Sequence, residues 1–465
     1  MRSGCTPGTL PDMTDAELVA RYDGRIPRYT SYPTAPHFSA AFPADDYAEW
    51  LRKLPAAAPL SLYLHVPFCD RLCLYCGCNT RVVRAEGSRR AYAALLEREL
   101  RMVAGYIGRR AQVGHVHWGG GTPTTLPADC LTGIMALVRS LFSVLPEAEV
   151  AIEVDPTALP PDRLEALSGM GITRASLGVQ DLDPAVQTAI GRMQSYEVTE
   201  QCALALRAMG ISSLNLDLIY GLPHQTEESV ARTARRALGL AADRVAVFGY
   251  AHVPWMKRHQ ALIPDETLPG PLARFAQSRA ISRVLEAEGG YLAVGLDHYA
   301  RPGDALAQAV GSKNLHRSFQ GYTTDAAPAL IGIGASAIGC LPQGYVQNTP
   351  AVPAYMAAIG ADRLATARGA ALTADDRLRR DVIERIMCDL TADLVEIASA
   401  HASDPAPLLA SAAGLGRFEA DRLVRWDGRR VEVTEAGRPF VRSVAAVFDA
   451  YLAKGDGALR HARAV

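Results

Sequence analysis

Residues 60–79, LSLYLHVPFCDRLCLYCGCN, decide how the rest of this 465-residue chain is read. The first seven, Leu60–Val66, are an apolar run of buried-strand length. Cys69, Cys73, Cys76 and Cys78 follow at once, placing four of the chain's nine cysteines within ten residues as C-x3-C-x2-C-x-C. Three thiolates so close together on a strand-following loop can point at one centre. Three is also the number that holds an iron–sulfur cubane and leaves one iron open. A four-thiolate zinc site, closed and structural, is the alternative. Zinc ribbons, however, separate two CxxC pairs by a longer loop, and a Cys-x-Cys ending would strain one tetrahedron. A redox pair needs a single CxxC and leaves Cys69 without a role.

Outward from that stretch, composition sets bounds. The hydrophobic fraction of 49% and charged fraction of 21% are ordinary for a globular chain with a sizeable core, and the length suggests two or three units. A net charge of −1 provides no overall field toward nucleic acid or an acidic membrane surface. The N-terminus has no apolar core of signal-peptide length, and no stretch approaches the ~20 apolar residues of a membrane span. The expectation is a cytoplasmic protein, with Cys5, Cys130, Cys202, Cys340 and Cys388 as reduced thiols.

Upstream, residues 1–59 read as an arm and lead-in of little periodicity. Within them, 27–38 (PRYTSYPTAPHF) are held extended by proline. So aromatic a run either packs on the domain or covers a site. Downstream, 60–350 alternate strand and helix. Strands are expected at Leu60–Val66, Val113–Trp118, Glu149–Val154, Arg174–Val179, Leu214–Ile219 and Arg244–Tyr250, with an amphipathic helix after each. Such a series builds a parallel sheet. The strand ends carry Cys69, Gly119, Glu153, Gln180, Asp217 and Tyr250, and a barrel brings all such ends to one face. The fold class is therefore α/β, a partly open (β/α)6-type barrel. Residues 291–350 are less regular, with LIGIGASAIG (330–339) expected as a glycine-rich turn region. Residues 351–465 read as a mostly helical, winged-helix-like domain with a hairpin turning at Asp427-Gly428 and a helix running through Ala453. Near-neutral charge argues against DNA binding there.

The C-x3-C-x2-C loop after the first barrel strand, with Tyr75 before the third cysteine, resembles that of radical S-adenosylmethionine (SAM) enzymes. A closer resemblance spans nearly the whole chain. PRYTSYPTA, HVPFC…C…CGCN, HWGGGTPT, IEVDP, LGVQD, NLDLIYGLPHQT, YAHVP and LHRSFQGYTT together are similar to oxygen-independent coproporphyrinogen III oxidases. That resemblance implies a [4Fe–4S] cluster on Cys69, Cys73 and Cys76, whose open iron takes SAM and yields a 5′-deoxyadenosyl radical. It implies two SAM molecules, contacted by Tyr63, Tyr75, Gly120, Gly121, Thr122, Glu153, Gln180, Arg192, Asp217, Ala251 and Ile338. Cys78 and the arm tyrosines Tyr29 and Tyr32 become the candidate catalytic groups. The implied substrate is a porphyrinogen with four propionates, two of which become vinyl groups, served by a low-potential electron donor and an electron acceptor.

Several of these residues also have a reading of their own. Bare backbone at Gly119–Gly121 admits close approach, Glu153 in an apolar run can accept two ribose hydroxyls, and an Arg such as Arg192 can pair a carboxylate bidentately. Arg28, Arg301 and Arg317 are candidate partners for substrate carboxylates. A haem-binding chaperone that keeps barrel and cluster is the rival reading, and Cys78 with the YTSYPT arm favours the oxidase. Nothing suggests a self-complementary element, so a monomer is the default.

Overall fold

The structure is a computed structural model that describes residues 13–452 and Arg463. Its frame is six parallel strands: β1 (Leu60–Val66), β2 (Gln112–Gly120), β3 (Ser143–Val154), β4 (Arg174–Gln180), β5 (Ser213–Tyr220) and β6 (Arg244–Gly249). Each pairs in parallel with the next in chain order. The crossovers are α1 (Glu86–Ile107), α2 (Ala128–Leu141), α3 (Pro161–Met170), α4 (Tyr196–Ala208), α5 (Glu227–Leu238) and α6 (Pro271–Arg283). Their inward stripes follow helical spacing, as Leu131, Ile134, Met135 and Val138 do in α2. Left-handed glycines Gly108 and Gly171 end α1 and α3. Strand and helix side chains close into one large core around Leu62, Trp118, Ile152, Leu177 and Leu216.

The region expected to be irregular extends this sheet. Short strands β7 (Leu292–Val294) and β8 (His298–Ala300) add antiparallel beyond β6. On the other side β9 (Leu330–Ile333) lies parallel to β1, followed by antiparallel β10 (Ile338–Leu341), β11 (Gly344–Asn348) and β12 (Thr366–Ala371). The order is β12-β11-β10-β9-β1-β2-β3-β4-β5-β6-β8-β7, twelve strands whose two edges do not pair. The barrel is open. LIGIGASAIG is thus strand, tight turn and strand. A Cβ on Gly332 would lie 2.9 Å from the Ile338 backbone, so glycine there permits close pairing.

The C-terminal unit contains α7 (Ala374–Asp389), which begins at a Thr373 capping box, and a three-stranded sheet. Its strands are β13 (Thr391–Asp393), β14 (Val424–Trp426) and β15 (Arg430–Val433), with the hairpin turning through Asp427 and Gly428. The long helix expected after it is instead two short turns and the helix Val441–Ala445, ending at Phe448; Ala453 lies outside the described residues. The N-terminal segment also differs from a plain arm. It holds the helices Asp15–Tyr22 and Ala44–Arg52, each too short for periodicity to stand out in sequence. Leu18, Val19, Tyr22, Tyr29 and Tyr32 pack into the C-terminal core, and Tyr22 stacks on Phe418 at 4.7 Å.

Candidate active site

The strand ends open onto a cavity of about 970 Å³. Cys69, Cys73, Cys76, Cys78 and Tyr75 line it, together with Gly120, Gly121, Thr122, Glu153, Gln180, Arg192, Asp217 and Ala251. The arm contributes Tyr29 and Tyr32 to its wall. Tyr63 and Ile338 stand behind it. Tyr63 faces Glu153 across Gly119, and Ile338 packs toward Phe38 and Tyr345 on β10. Arg301 is elsewhere, stacked on Tyr291 and donating to the Ala242 carbonyl.

The cysteine loop is fastened at both ends. Its outgoing limb extends β1 through Phe68–Cys69, which pairs in parallel with Arg81–Val82. The β2 turn stitches onto it, with Gly121 N donating to Val66 O and Thr122 N to Phe68 O, both at 2.8 Å. At the far end, Lys257 Nζ donates to Cys78 O, Gln260 Nε2 to Tyr75 O, and His259 Nε2 meets Cys76 O, each at 2.8 Å. These three side chains, on the segment after β6, carry no periodicity or motif that would nominate them from sequence. Burial holds His65 below its ordinary pKa and therefore neutral. One ring nitrogen accepts from Tyr63 Oη at 3.0 Å, and the other donates to Asn79 O at 3.2 Å. Its backbone is set by Tyr92, whose hydroxyl donates to His65 O and accepts from Ala335 N. Behind that lies Glu99, buried and accepting from Gly334 N, Asn348 Nδ2 and Tyr355 Oη at 2.6–2.7 Å.

The sulfurs meet cationic and hydroxyl donors. Thr122 Oγ1 donates to Cys69 Sγ at 3.7 Å and Arg192 Nη1 to Cys73 Sγ at 3.6 Å. Burial pushes the Cys69 thiol up to about 12, whereas the hydrogen bond from Cys78 brings Cys76 down to about 6. A donor set of three thiols on one loop, two of them already offered hydrogen bonds, suits a thiolate-bound cluster. Among the described residues no three His, Cys, Asp or Glu side chains converge tightly enough for one metal ion. The three loop cysteines line one cavity, and three thiolates are the donor number that an iron–sulfur cubane with one open iron takes.

Gly119–Gly121 also admit the close approach of the protein's own groups. A Cβ would come within 2.7 Å of Glu153 Oε1 at Gly119, 2.7 Å of the His65 ring at Gly120, and 2.6 Å of Phe68 O at Gly121. Gly120 N donates to Glu153 Oε2 at 3.0 Å. The glycines let the protein's own groups crowd the loop. Arg192 is likewise no solvated side chain. It pairs with Asp155 at 3.1 Å and donates to Gly178 O and Gln194 Oε1. Gln180 ends β4 in left-handed geometry (φ 65°) at a register shift, the kind of local strain that re-aims a side chain at a site. Asp217, held by Ser176 and Asn215, is raised to about 6 by burial and then by the Glu153 charge. The hydroxyls of Tyr29 and Tyr32 turn away from the sulfurs. Tyr29 Oη donates to Asp449 and Tyr32 Oη accepts from Ala450 N, both at 3.0 Å.

Residues 63–237 match the Radical SAM superfamily. An oxygen-independent coproporphyrinogen III oxidase of Bradyrhizobium diazoefficiens is 53% identical over 97% of this chain and 100% of its own length. The chain belongs to the oxygen-independent coproporphyrinogen III oxidase family. A second oxidase of that name, from Paracoccus denitrificans, is 42% identical over 95% of this chain and 98% of its own length. The fold matches that of the coproporphyrinogen III oxidase from Escherichia coli, a radical SAM enzyme, with a TM-score of 0.88. That protein is 38% identical, and the match covers 95% of this chain and 100% of the other. Membership in this oxidase family brings with it a [4Fe–4S] cluster and SAM.

Proposed function

We propose that this protein is the oxidoreductase that converts two propionate side chains of coproporphyrinogen III to vinyl groups without oxygen, giving protoporphyrinogen IX for haem and porphyrin biosynthesis. The observation that supports this most is the placing of Cys69, Cys73 and Cys76 in one cavity with Gly120, Glu153, Gln180 and Asp217. The chain also matches a named oxidase from end to end. When bound, the cluster and SAM supply the one-electron chemistry that removes a hydrogen β to a propionate carboxylate.

The chain's own residues hold and shape that chemistry. Cys69, Cys73 and Cys76 anchor the cluster, with Thr122 and Arg192 offering hydrogen bonds to two of the sulfurs. Glu153, oriented by Gly120 N and by His117 at 3.5 Å, takes the ribose hydroxyls of SAM. Gly120 borders that SAM, and Tyr63 and Ile338 support its pocket from behind. A second SAM lies toward Tyr75, Gly121, Thr122, Gln180, Arg192, Asp217 and Ala251. Cys78 reaches the cavity without a place among the anchors and is the candidate catalytic thiol. Each reacting propionate loses its carboxylate as CO2, together with one hydrogen atom and one further electron, so the cycle needs a low-potential donor to start and an acceptor to finish. Among the described residues no helix is long and apolar enough to cross a membrane. A cytoplasmic monomer suits the composition. Units 1–59, 60–350 and 351–465 serve as arm, catalytic barrel and C-terminal support, the last also lending the edge strand β12 to the barrel sheet.

The test is anaerobic reconstitution with iron and sulfide, followed by reductant, SAM and coproporphyrinogen III. The expected products are 5′-deoxyadenosine and a vinyl-bearing porphyrinogen. Absence of both, with the cluster intact, overturns the assignment.

A further inference from the structure

Resting on that assignment, we propose that Arg28 of the arm and Arg317 of the hairpin after β8 form the site that holds a substrate propionate carboxylate. Both line the cavity. They adjoin each other, since Arg317 Nε donates to the Arg28 carbonyl at 3.2 Å. Arg317 lies flat over the Tyr322 ring, 4.4 Å from its centroid, with a side chain only 4% exposed. Its Nη1 is buried with no hydrogen-bond partner. A guanidinium so placed, with one nitrogen unanswered, is held for an anion that is not part of the chain. Arg28 contributes Nη2 to Gly249 O at 2.8 Å and is otherwise open to the cavity.

Charge points the same way. The carboxylate paired with Arg317 is Asp297, 3.5 Å from Nη2 and hydrogen-bonded by His298 Nδ1 at 2.8 Å. Deeper in the bore Arg174 and Arg244 also each keep one buried nitrogen without a hydrogen-bond partner, but their charge is matched: they face Glu149 and Asp304, two cations on two carboxylates. Burial pulls the Arg28 pKa down, with the Asp297 carboxylate opposing the shift and Arg317 adding to it. Ser31, three residues along the same arm, also lines the cavity with a buried hydroxyl that has no partner. Topology separates this wall from the cluster. The cysteine loop leaves β1, whereas Asp297 precedes β8, six strands away across the open sheet. The hydrogen bonds of Arg28 and Arg317 go to Gly249 O and Arg28 O and not to a loop sulfur, so the carboxylate held here is an anchoring one, and another side of the macrocycle is presented for reaction.

The test uses reconstituted wild type, Arg28→Gln, Arg28→Lys and Arg317→Lys. Steady-state turnover of coproporphyrinogen III is followed beside fluorescence titration with coproporphyrin III and its tetramethyl ester. Arg28→Gln should raise KM, and weaken free-acid binding, about ten- to a hundredfold. Iron content and the ester's affinity should stay at wild-type level, and Arg28→Lys should recover part of the loss. Arg317→Lys, which retains the charge but not the fork, should show a smaller loss in the same assays. Wild-type KM in Arg28→Gln with a full cluster overturns the site, as does an equal loss for acid and ester. If wild type binds the acid over the ester but makes no vinyl product, the oxidase assignment fails while the carboxylate site stands.

Discussion

The cysteine loop and the arm wall border the same cavity and treat polar groups in opposite ways. At the loop, protein answers protein. The carbonyls of Tyr75, Cys76 and Cys78 each have a side-chain partner, Arg192 meets four acceptors, and Glu153 is oriented before any ligand arrives. At the arm wall, the tyrosines turn their hydroxyls backward into the C-terminal core while Arg28, Ser31 and Arg317 face inward incompletely answered. One side is preorganised for groups that stay bound. The other is held firmly from behind and left open in front, which suits a substrate that must leave.

Separating the roles of neighbouring thiols would break this contrast most severely. Cys76→Ala should abolish both turnover and the iron–sulfur absorbance. Cys78→Ser should keep the absorbance and lower vinyl formation by about a hundredfold or more, the range for loss of a positioned catalytic side chain. Loss of absorbance in Cys78→Ser would make Cys78 part of the anchoring set.

A middle-sized effect lies behind the loop, at Glu99. Burial raises its pKa from 4.5 to about 7, against hydrogen bonds from Tyr355, Gly334 and Asn348. Between those values the native state binds more protons than the unfolded chain. Glu99 therefore costs the fold stability as pH rises through this window, up to roughly 3 kcal/mol. Urea unfolding of Glu99→Gln against wild type should show a stability difference that changes by about this amount between pH 4.5 and pH 8. A difference independent of pH would mean that the three donors keep Glu99 ionised throughout.

Much of this contrast could be read from sequence on the loop side and little on the arm side. β1, α2 and α3 follow their apolar patterns to the residue, because long buried elements carry their period openly. Cys69, Glu153 and Gln180 stand at or next to strand ends and Asp217 stands within β5, all in apolar alternation that makes them visible. β7 to β11 span three to five residues each, too few for a pattern, and glycines that permit close pairing at Gly332 look like turn residues. Lys257, His259 and Gln260 act through side-chain reach to backbone carbonyls, which no spacing encodes. Arg28 and Arg317 were nameable as cations, but only the fold separates them from Arg301, whose charge rests on Tyr291.

The smallest expected effect sharpens the arm side. Tyr29→Phe removes the hydroxyl that meets Asp449 and should cost about 1–2 kcal/mol in thermal or urea unfolding. Turnover at saturating substrate should change by less than about threefold, since each 1.4 kcal/mol of barrier is tenfold in rate. A collapse in kcat with an intact cluster would return Tyr29 to the reacting groups.

The parallel pairing of β9 with β1 has a consequence for how the protein is made. Ser61 and Leu330 are neighbours in the sheet though most of the chain lies between them, and the turn after β9 brings Ser336 to His65. During synthesis the thiols emerge early, while the strand that fixes their loop emerges only after the whole barrel has followed. Contacts this distant in sequence form late. A ribosome-bound fragment ending before β9 would carry all four cysteines of the loop and β2 on one edge of their strand, but not the strand that pairs with its other edge.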